Sequence, residues 1–153
     1  MIQRKQSLWL FIAALLNAGV FYFDLYRYHN TVRSIVKGVD TVTDTTGQIR
    51  VADHFPTLLI ALVMTLLPVV IIFMFNNRKR QIRMCFVSIL AIASFITIAL
   101  QRVKHLGNLT PPPSSESYWI GSVLPIAAVI FIIMAMIAIR KDERLVKSVD
   151  RLR

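Results

Sequence analysis

The sequence predicts an all-α membrane protein, a four-transmembrane-helix antiparallel bundle with both termini cytoplasmic and a candidate small β-hairpin in the first outer loop. Three observations lead to this fold class. The 153 residues are 56% hydrophobic, with a mean hydropathy of +0.60. Four long stretches contain no Asp, Glu, Lys or Arg. The Lys and Arg residues are also divided unequally among the segments that join those stretches. Residues 1–153 are therefore predicted to form a single integral membrane domain.

The composition excludes several classes of soluble protein. Charged residues make up 17% of the chain, whereas an average soluble domain has about 25%. The apolar content excludes intrinsic disorder. Cys85 is the single cysteine, which excludes a disulfide scaffold. The chain nevertheless has a net charge of +10, so the positions of its basic residues decide what that charge means.

The charge-free stretches predict four transmembrane spans. A helix rises about 1.5 Å per residue, so a hydrocarbon core of about 30 Å requires roughly 17–25 residues. The predicted spans are residues 8–26, 56–75, 84–100 and 118–139. The first charge-free stretch, Leu8–Phe23, is long enough only if its helix continues through Asp24 to Tyr26, with Asp24 at the level of the lipid headgroups. Residues 66–73 lack the polar stripe that helices of a soluble bundle carry.

The distribution of basic residues predicts how the chain is threaded. The N-terminus, the connector 76–83 and the tail 140–153 hold 12 of the 18 Lys and Arg residues with three acidic residues. The other side holds six basic residues with five acidic ones. Loops rich in Lys and Arg stay in the cytoplasm. Both termini are therefore predicted to be cytoplasmic, and the net charge is mainly a topology signal.

Two outer loops are predicted, at residues 27–55 and 101–117. The first contains alternating Val39, Thr41 and Thr43, which together with a turn near Thr46–Gly47 predicts a β-hairpin. Because an isolated hairpin is marginal in water, it is expected to lie on the helix ends or to pair with a partner. In the second loop, three prolines at 111–113 precede a serine-rich stretch, which predicts a stiff extended segment followed by a helix cap.

The predicted spans contain no ionisable side chain at depth. Proton pumps, charge-coupled carriers and intramembrane hydrolases require such groups, so these activities are disfavoured and no catalytic or cofactor-binding residue is predicted. Asn17 is the most polar group near the middle of a span, on the same side of the helix as Ala13 and Ala14. We expect its side chain to form a hydrogen bond to a neighbouring helix. The alternative is a polar contact to a substrate or to another subunit.

Three histidines are the candidate metal ligands, because His29, His54 and His105 all fall near the outer ends of the first three helices. Imidazole rings that converge can hold a metal or form a pH switch. The ends of neighbouring helices gather for topological reasons in any case, so the structural interpretation is preferred and no metal is predicted.

The inner connector and the tail supply the remaining candidate interaction residues. The connector carries Arg78, Lys79, Arg80 and Arg83. Topology and contact with anionic headgroups explain this cluster, and so few residues do not indicate a nucleic-acid partner. The tail is predicted to be an amphipathic, basic extension of the fourth helix, lying on the inner leaflet or docking a partner. Its candidate contacts are Arg144, Leu145, Lys147, Val149, Arg151 and Leu152.

Both ends of the chain resemble a known family. The start Met1-Ile2-Gln3-Arg4 and the stretch from Arg140 to Arg153 resemble a domain-of-unknown-function family of four-helix inner-membrane proteins from Bacteroidota. The resemblance implies an inner-membrane location in a Gram-negative host. It implies no catalytic or binding residues.

Elimination therefore favours a non-enzymatic integral inner-membrane protein, an accessory or assembly subunit of a membrane protein complex. It would contact anionic lipids on the cytoplasmic side and other membrane proteins. The alternative is a small oligomeric transporter or lipid-handling membrane protein, in which Asn17 and the proline-containing helices line a path.

Overall fold

The computed structural model of the chain describes residues 3–36, 39–74, 77–107 and 115–150. A short 3-10 turn at Val51–Asp53 precedes the second helix. The elements in chain order are α1 (Gln3–Gly19), β1 (Tyr26–Val36), β2 (Val39–Ile49), α2 (Phe55–Phe73), α3 (Arg78–Gly107), β3 (Ser115–Tyr118) and α4 (Ile120–Asp150).

The four helices form an up-and-down ring in which each helix contacts the next and α4 returns to α1. Two contacts fix the antiparallel register of α1 and α4. The Gln6 side-chain amide donates to the Ala138 carbonyl at 3.2 Å. Further along, the Trp9 and Phe131 rings stack with their centroids 5.7 Å apart. This register brings the end of α1 next to the start of α4, and the strands adjoin both, so the sheet lies at that end of the bundle, which we call the sheet end. The start of α3 and residues 140–145 of α4 meet at the opposite end, the basic end.

Within the described residues, three helical segments are long and apolar enough to cross a membrane, namely Phe55–Phe73, Arg78–His105 and Ile120–Leu145. The apolar part of α1, Gln6–Gly19, is shorter. The prediction that the first helix continues to Tyr26 is wrong, because α1 ends at Gly19 and Tyr26 begins β1. The chain then turns so that the Asp24 carboxylate binds Arg27 of β1 and Arg50, which directly follows β2.

The bundle buries small and polar side chains together with large apolar ones such as Leu10, Ile92 and Phe95, and it leaves many other large apolar side chains on its outer faces. Buried positions include Ala13, Ala61, Ser88, Ala128 and Ala135. Small residues let helices approach closely, which is how helices associate within lipid. Many large side chains remain exposed on the outer faces, among them Leu15, Leu66, Leu90, Ile130 and Ile137. This distribution is what a bundle surrounded by lipid requires.

The predicted hairpin is confirmed, although its turn is not where the sequence suggested. Strands β1 and β2 pair antiparallel from Tyr26↔Ile49 to Val36↔Val39. Gly47 lies inside β2 opposite Tyr28, not in a turn. A Cβ atom on Gly47 would overlap the Tyr28 ring, so this glycine makes room for an aromatic ring across the strand pair.

The prediction of an all-α chain is also incomplete, because the sheet gains a third strand from the second predicted loop. β3 pairs with β1 from Tyr26↔Tyr118 to His29↔Ser115, giving the order β2-β1-β3. The prolines at 111–113 lie outside the described residues. α3 continues through Gly107, beyond the predicted end at Leu100, and α4 begins at Ile120. The predicted helical tail is confirmed as far as Asp150.

Candidate functional site

Asp24 is the centre of the junction between the helices and the sheet. Its side chain is 4% exposed. Arg27, in β1, donates from Nε to Asp24 Oδ2 at 2.9 Å, and Arg50, just after β2, donates from Nε to Oδ1 at 2.7 Å. The hydrogen bond from Arg50, supported by that from Arg27, outweighs burial and lowers the pKa of the Asp24 carboxyl below its ordinary value. One carboxylate thus fastens both strands of the hairpin to the end of α1.

The backbone on either side of Asp24 is bound to the start of α4. The Asp24 carbonyl accepts from the Gly121 amide at 3.2 Å, and the Leu25 carbonyl accepts from the Trp119 amide at 3.2 Å. A Cβ atom on Gly121 would lie 2.5 Å from the Asp24 carbonyl oxygen, so the contact requires glycine. The Arg27 guanidinium also lies 4.0 Å from the centroid of the Trp119 ring. The junction therefore joins the segment after α1, the hairpin and the start of α4.

Beneath this junction lies an apolar cavity of about 200 Å³. It separates the sheet-end halves of α3 and α4, and the root of the sheet closes it. Its walls include Tyr26, Ile49, Phe95, Ala99, Val103 and Ile126.

A polar cleft of about 490 Å³ adjoins this cavity on the sheet side, and Ile49 lines both. The structure brings two of the three candidate histidines to the cleft, His54 and His105, together with Arg102. His54 Nδ1 lies 2.8 Å from Thr57 Oγ1. His29 lines a separate cleft on the hairpin and lies 3.7 Å from an Asp44 carboxylate oxygen. In the described ranges, no three His, Cys, Asp or Glu side chains gather as metal ligands.

Asn17 is fully buried, and its Nδ2 donates to the Met64 carbonyl of α2 at 2.9 Å. In an α-helix that carbonyl would accept from the amide four residues later, but residue 68 is proline and has no N–H. Asn17 therefore supplies the donor that Pro68 removes.

Two further buried amides, which the sequence analysis missed, also donate to helix carbonyls. Gln6 reaches Ala138, as described above, and Gln81 Nε2 donates to the Ile71 carbonyl near the end of α2 at 3.2 Å. The Met74 amide also donates to the Ile71 carbonyl, at 3.2 Å, so Gln81 gives this carbonyl a second donor and joins α3 to the last turn of α2. For Asn17, the sequence signal was Pro68, because a proline within a helix leaves a carbonyl that needs another donor. The only sequence signal for the glutamines was their position at the ends of apolar stretches.

The structure places the predicted basic cluster in the first two turns of α3. Arg78 forms an ion pair with Asp142 of α4, with 2.9 Å between Nη1 and Oδ2, while Lys79, Arg80 and Arg83 are exposed. On α4, Arg144 and Leu145 are exposed. The predicted tail residues Lys147 and Val149 lie on the helix, but their side chains are outside the described part, as are Arg151 and Leu152 altogether.

A family model described as Domain of unknown function (DUF4293) matches residues 2–152. No curated protein and no solved structure matches the chain.

Proposed function

Since the chain belongs to the DUF4293 family, defined by a domain of unknown function, we propose its role from its own surfaces: it is a non-enzymatic integral inner-membrane protein, an accessory or assembly subunit of a membrane protein complex. The observation that carries this proposal is the long hairpin that extends from the sheet end of the bundle.

In the proposed topology, α1 is the fourth span. It lies beside α2 and α4, and its exposed Leu8, Phe11 and Leu15 give it the same apolar outer face as the other helices. The basic end lies in the cytoplasm, because basic segments remain there. Lys79, Arg80 and Arg83 then contact anionic lipids, and the sheet faces the opposite side of the membrane.

The hairpin is too long to be supported by its own bundle. Each strand has 11 residues, which at about 3.3 Å per residue gives about 36 Å. β3 covers only Tyr26–His29 of β1. Among the described strands, the part of the hairpin beyond Asn30 is therefore two-stranded, and β2 forms an edge of the sheet throughout.

A two-stranded ribbon with open edges favours a partner. Such a ribbon is marginally stable alone in water, and an exposed strand edge offers unpaired N–H and C=O groups to another chain. The anchoring of the hairpin root by Asp24 fixes the direction in which this edge is presented. These features support docking of another membrane protein at the sheet end by strand addition.

The test shortens the hairpin without disturbing its root. In the variant, residues 31–44 are replaced by Asn-Gly, a pair that favours a tight hairpin turn, so that Asn30 and Thr45 remain paired and β3 keeps its contacts. Wild-type and shortened proteins are extracted from host membranes in a mild detergent, and the masses of the intact complexes are measured.

We expect the wild-type chain to carry a stoichiometric partner that the shortened chain lacks. A matched control, Arg80→Gln at the opposite end, should keep the partner. Equal thermal unfolding of the wild-type and shortened chains in detergent verifies that the bundle is intact. A wild-type chain that is a clean monomer, or a shortened chain that keeps the same partner, would refute the proposal.

A further inference from the structure

We propose that the apolar cavity at the sheet end holds an acyl chain of an anionic phospholipid from the surrounding bilayer, with the lipid phosphate in the adjoining cleft beside Arg102. This inference goes beyond the assembly role and requires no partner protein, so either proposal can fail without the other.

The cavity has the lining that an acyl chain requires. Three of its lining residues carry a hydroxyl group, namely Tyr26, Tyr118 and Ser122, and the Ser122 hydroxyl donates to the Trp119 carbonyl at 2.8 Å. The other lining side chains are apolar or aromatic, and they come from three sources: the root of the sheet, α3 and α4. A volume of about 200 Å³ accommodates part of a chain, so the remainder must lie outside the cavity.

The rim of the cavity is continuous with the outer face of the bundle. Leu100, Val123 and Ile126 line the cavity and are also among the large exposed apolar side chains, at 43%, 58% and 55% exposure. These residues stand on α3 and α4, within the segments long enough to cross a membrane. A chain can therefore enter sideways from the lipid, with its unbound part left in the bilayer.

The cleft supplies the complementary charge at the polar end of the cavity. Arg102 lines the cleft, and the next residue, Val103, lines the cavity. Tyr26 lines the cavity, and Tyr28, two residues later on the same face of β1, lines the cleft. Arg102 donates from Nη1 to the Arg50 carbonyl at 3.3 Å, and a guanidinium carries five N–H donors, suited to a phosphate.

Asp53 also lines the cleft, with Arg102, His54 and His105. Its Oδ2 accepts the backbone N–H of Arg50 at 2.8 Å, so this oxygen already has a donor, while the Arg102 guanidinium has N–H donors left for a phosphate. An uncharged apolar ligand would leave the cationic side of the cleft unused, and a small soluble anion would leave the cavity unused. A lipid with a negative headgroup uses both.

The experiment uses the full chain in a mild detergent and exploits its two tryptophans, Trp9 and Trp119. In a Trp9→Phe background, Trp119 is the only one left. It follows the lining residue Tyr118, and its amide donates to the carbonyl of another lining residue, Leu25. The probes are phosphatidylglycerol and phosphatidylcholine with brominated acyl chains, since bromine quenches nearby tryptophan fluorescence.

Two variants test the two parts of the site, each with a matched control. Ala99→Phe fills the cavity, and its control, Ala93→Phe, adds the same ring to an exposed position on α3. Arg102→Gln removes the cation, and its control, Arg80→Gln, removes a cation at the basic end.

We expect saturable quenching by phosphatidylglycerol at one lipid per chain. The affinity for phosphatidylcholine should be about tenfold lower, because this lipid carries no net charge. Ala99→Phe should abolish saturation for both lipids. Arg102→Gln should lower the affinity for phosphatidylglycerol about tenfold, to that for phosphatidylcholine. Both controls should match the parent.

Three results would overturn the proposal. These are quenching that rises linearly in the parent, unchanged saturation in Ala99→Phe, and an unchanged lipid preference in Arg102→Gln. If Ala99→Phe does not fold, as judged by circular dichroism, competition decides instead. Unbrominated phosphatidylglycerol must then relieve the quenching of the parent, and failure to do so counts against the site.

Discussion

The hydrogen bond between Asn17 and the Met64 carbonyl gives the sharpest energetic prediction, because its contribution to stability depends on Pro68, which takes no part in the bond. Asn17→Ala removes the donor. In the wild-type helix the Met64 carbonyl then has no helical donor, since Pro68 lacks an N–H. Pro68→Ala restores that N–H. Asn17→Ala should therefore cost more with proline at position 68 than with alanine there.

The magnitude follows from the cost of an unpaired carbonyl. A buried acceptor without a partner costs about 1–3 kcal/mol, and interhelical hydrogen bonds in membranes are worth about 0.6–2 kcal/mol. We expect a coupling of about 1 kcal/mol. The difference between the two backgrounds is the relevant quantity, because Asn17 Oδ1 has no hydrogen-bond partner among the described residues. The side-chain volume lost and the removal of Oδ1 are the same in both backgrounds, so they cancel in the cycle.

The assay is reversible unfolding of the four proteins in one detergent, followed by circular dichroism. Thr65→Ala is the control, because the Thr65 hydroxyl donates to the Ala61 carbonyl within its own helix at 2.7 Å. That carbonyl keeps its helical donor when the hydroxyl is removed, so the cost should be small and independent of residue 68. Equal costs of Asn17→Ala in the two backgrounds would refute the argument.

Three further predictions concern the sheet end and are measured by the same unfolding assay. Gly121→Ala should destabilise the protein by about 1–3 kcal/mol, because a Cβ would lie 2.5 Å from the Asp24 carbonyl oxygen. Gly19→Ala should cost less, because its nearest contact is the flexible Leu124 side chain, and equal costs would contradict the close approach. Because the folded state lowers the pKa of Asp24, the stability that its carboxylate contributes is present above the ordinary value of 3.8 and is lost as pH falls below it. Asp24→Asn should lack this part of the acid dependence, and identical acid profiles would exclude it. Gly47→Ala should destabilise the wild-type chain by about 1–3 kcal/mol but a Tyr28→Ala chain by less, and additive effects would show that the ring is not the obstacle.

The sequence predicted the long apolar helices well because the signal is simple. A long run without charged residues has one economical explanation, and residues 56–73 and 120–139 lie in helices as expected. The hairpin was also predictable, because β-branched residues alternate in its second strand.

The parts that failed depend on partners far apart in the chain. Asp24 continues an apolar run in the sequence, and only its contact with Arg50, 26 residues later, shows that it lies at a junction with the hairpin. Gly47 follows two threonines, a pattern that favours a turn, and only its pairing with Tyr28 shows that it lies within a strand. The cavity was invisible for the same reason, since its walls are drawn from segments spread from Leu25 to Ile126.

The contact that closes the ring of helices also constrains how the protein can be made. The acceptor of Asn17 lies in α2, so the first two helices can be joined soon after synthesis begins. The acceptor of Gln6 is Ala138, and the ring that stacks on Trp9 is Phe131, both in the last helix. The side of the first helix that contacts α4 therefore has no partner from this chain until the last helix has been translated. Biogenesis thus ends with the closing of the bundle, when the last helix reaches the first.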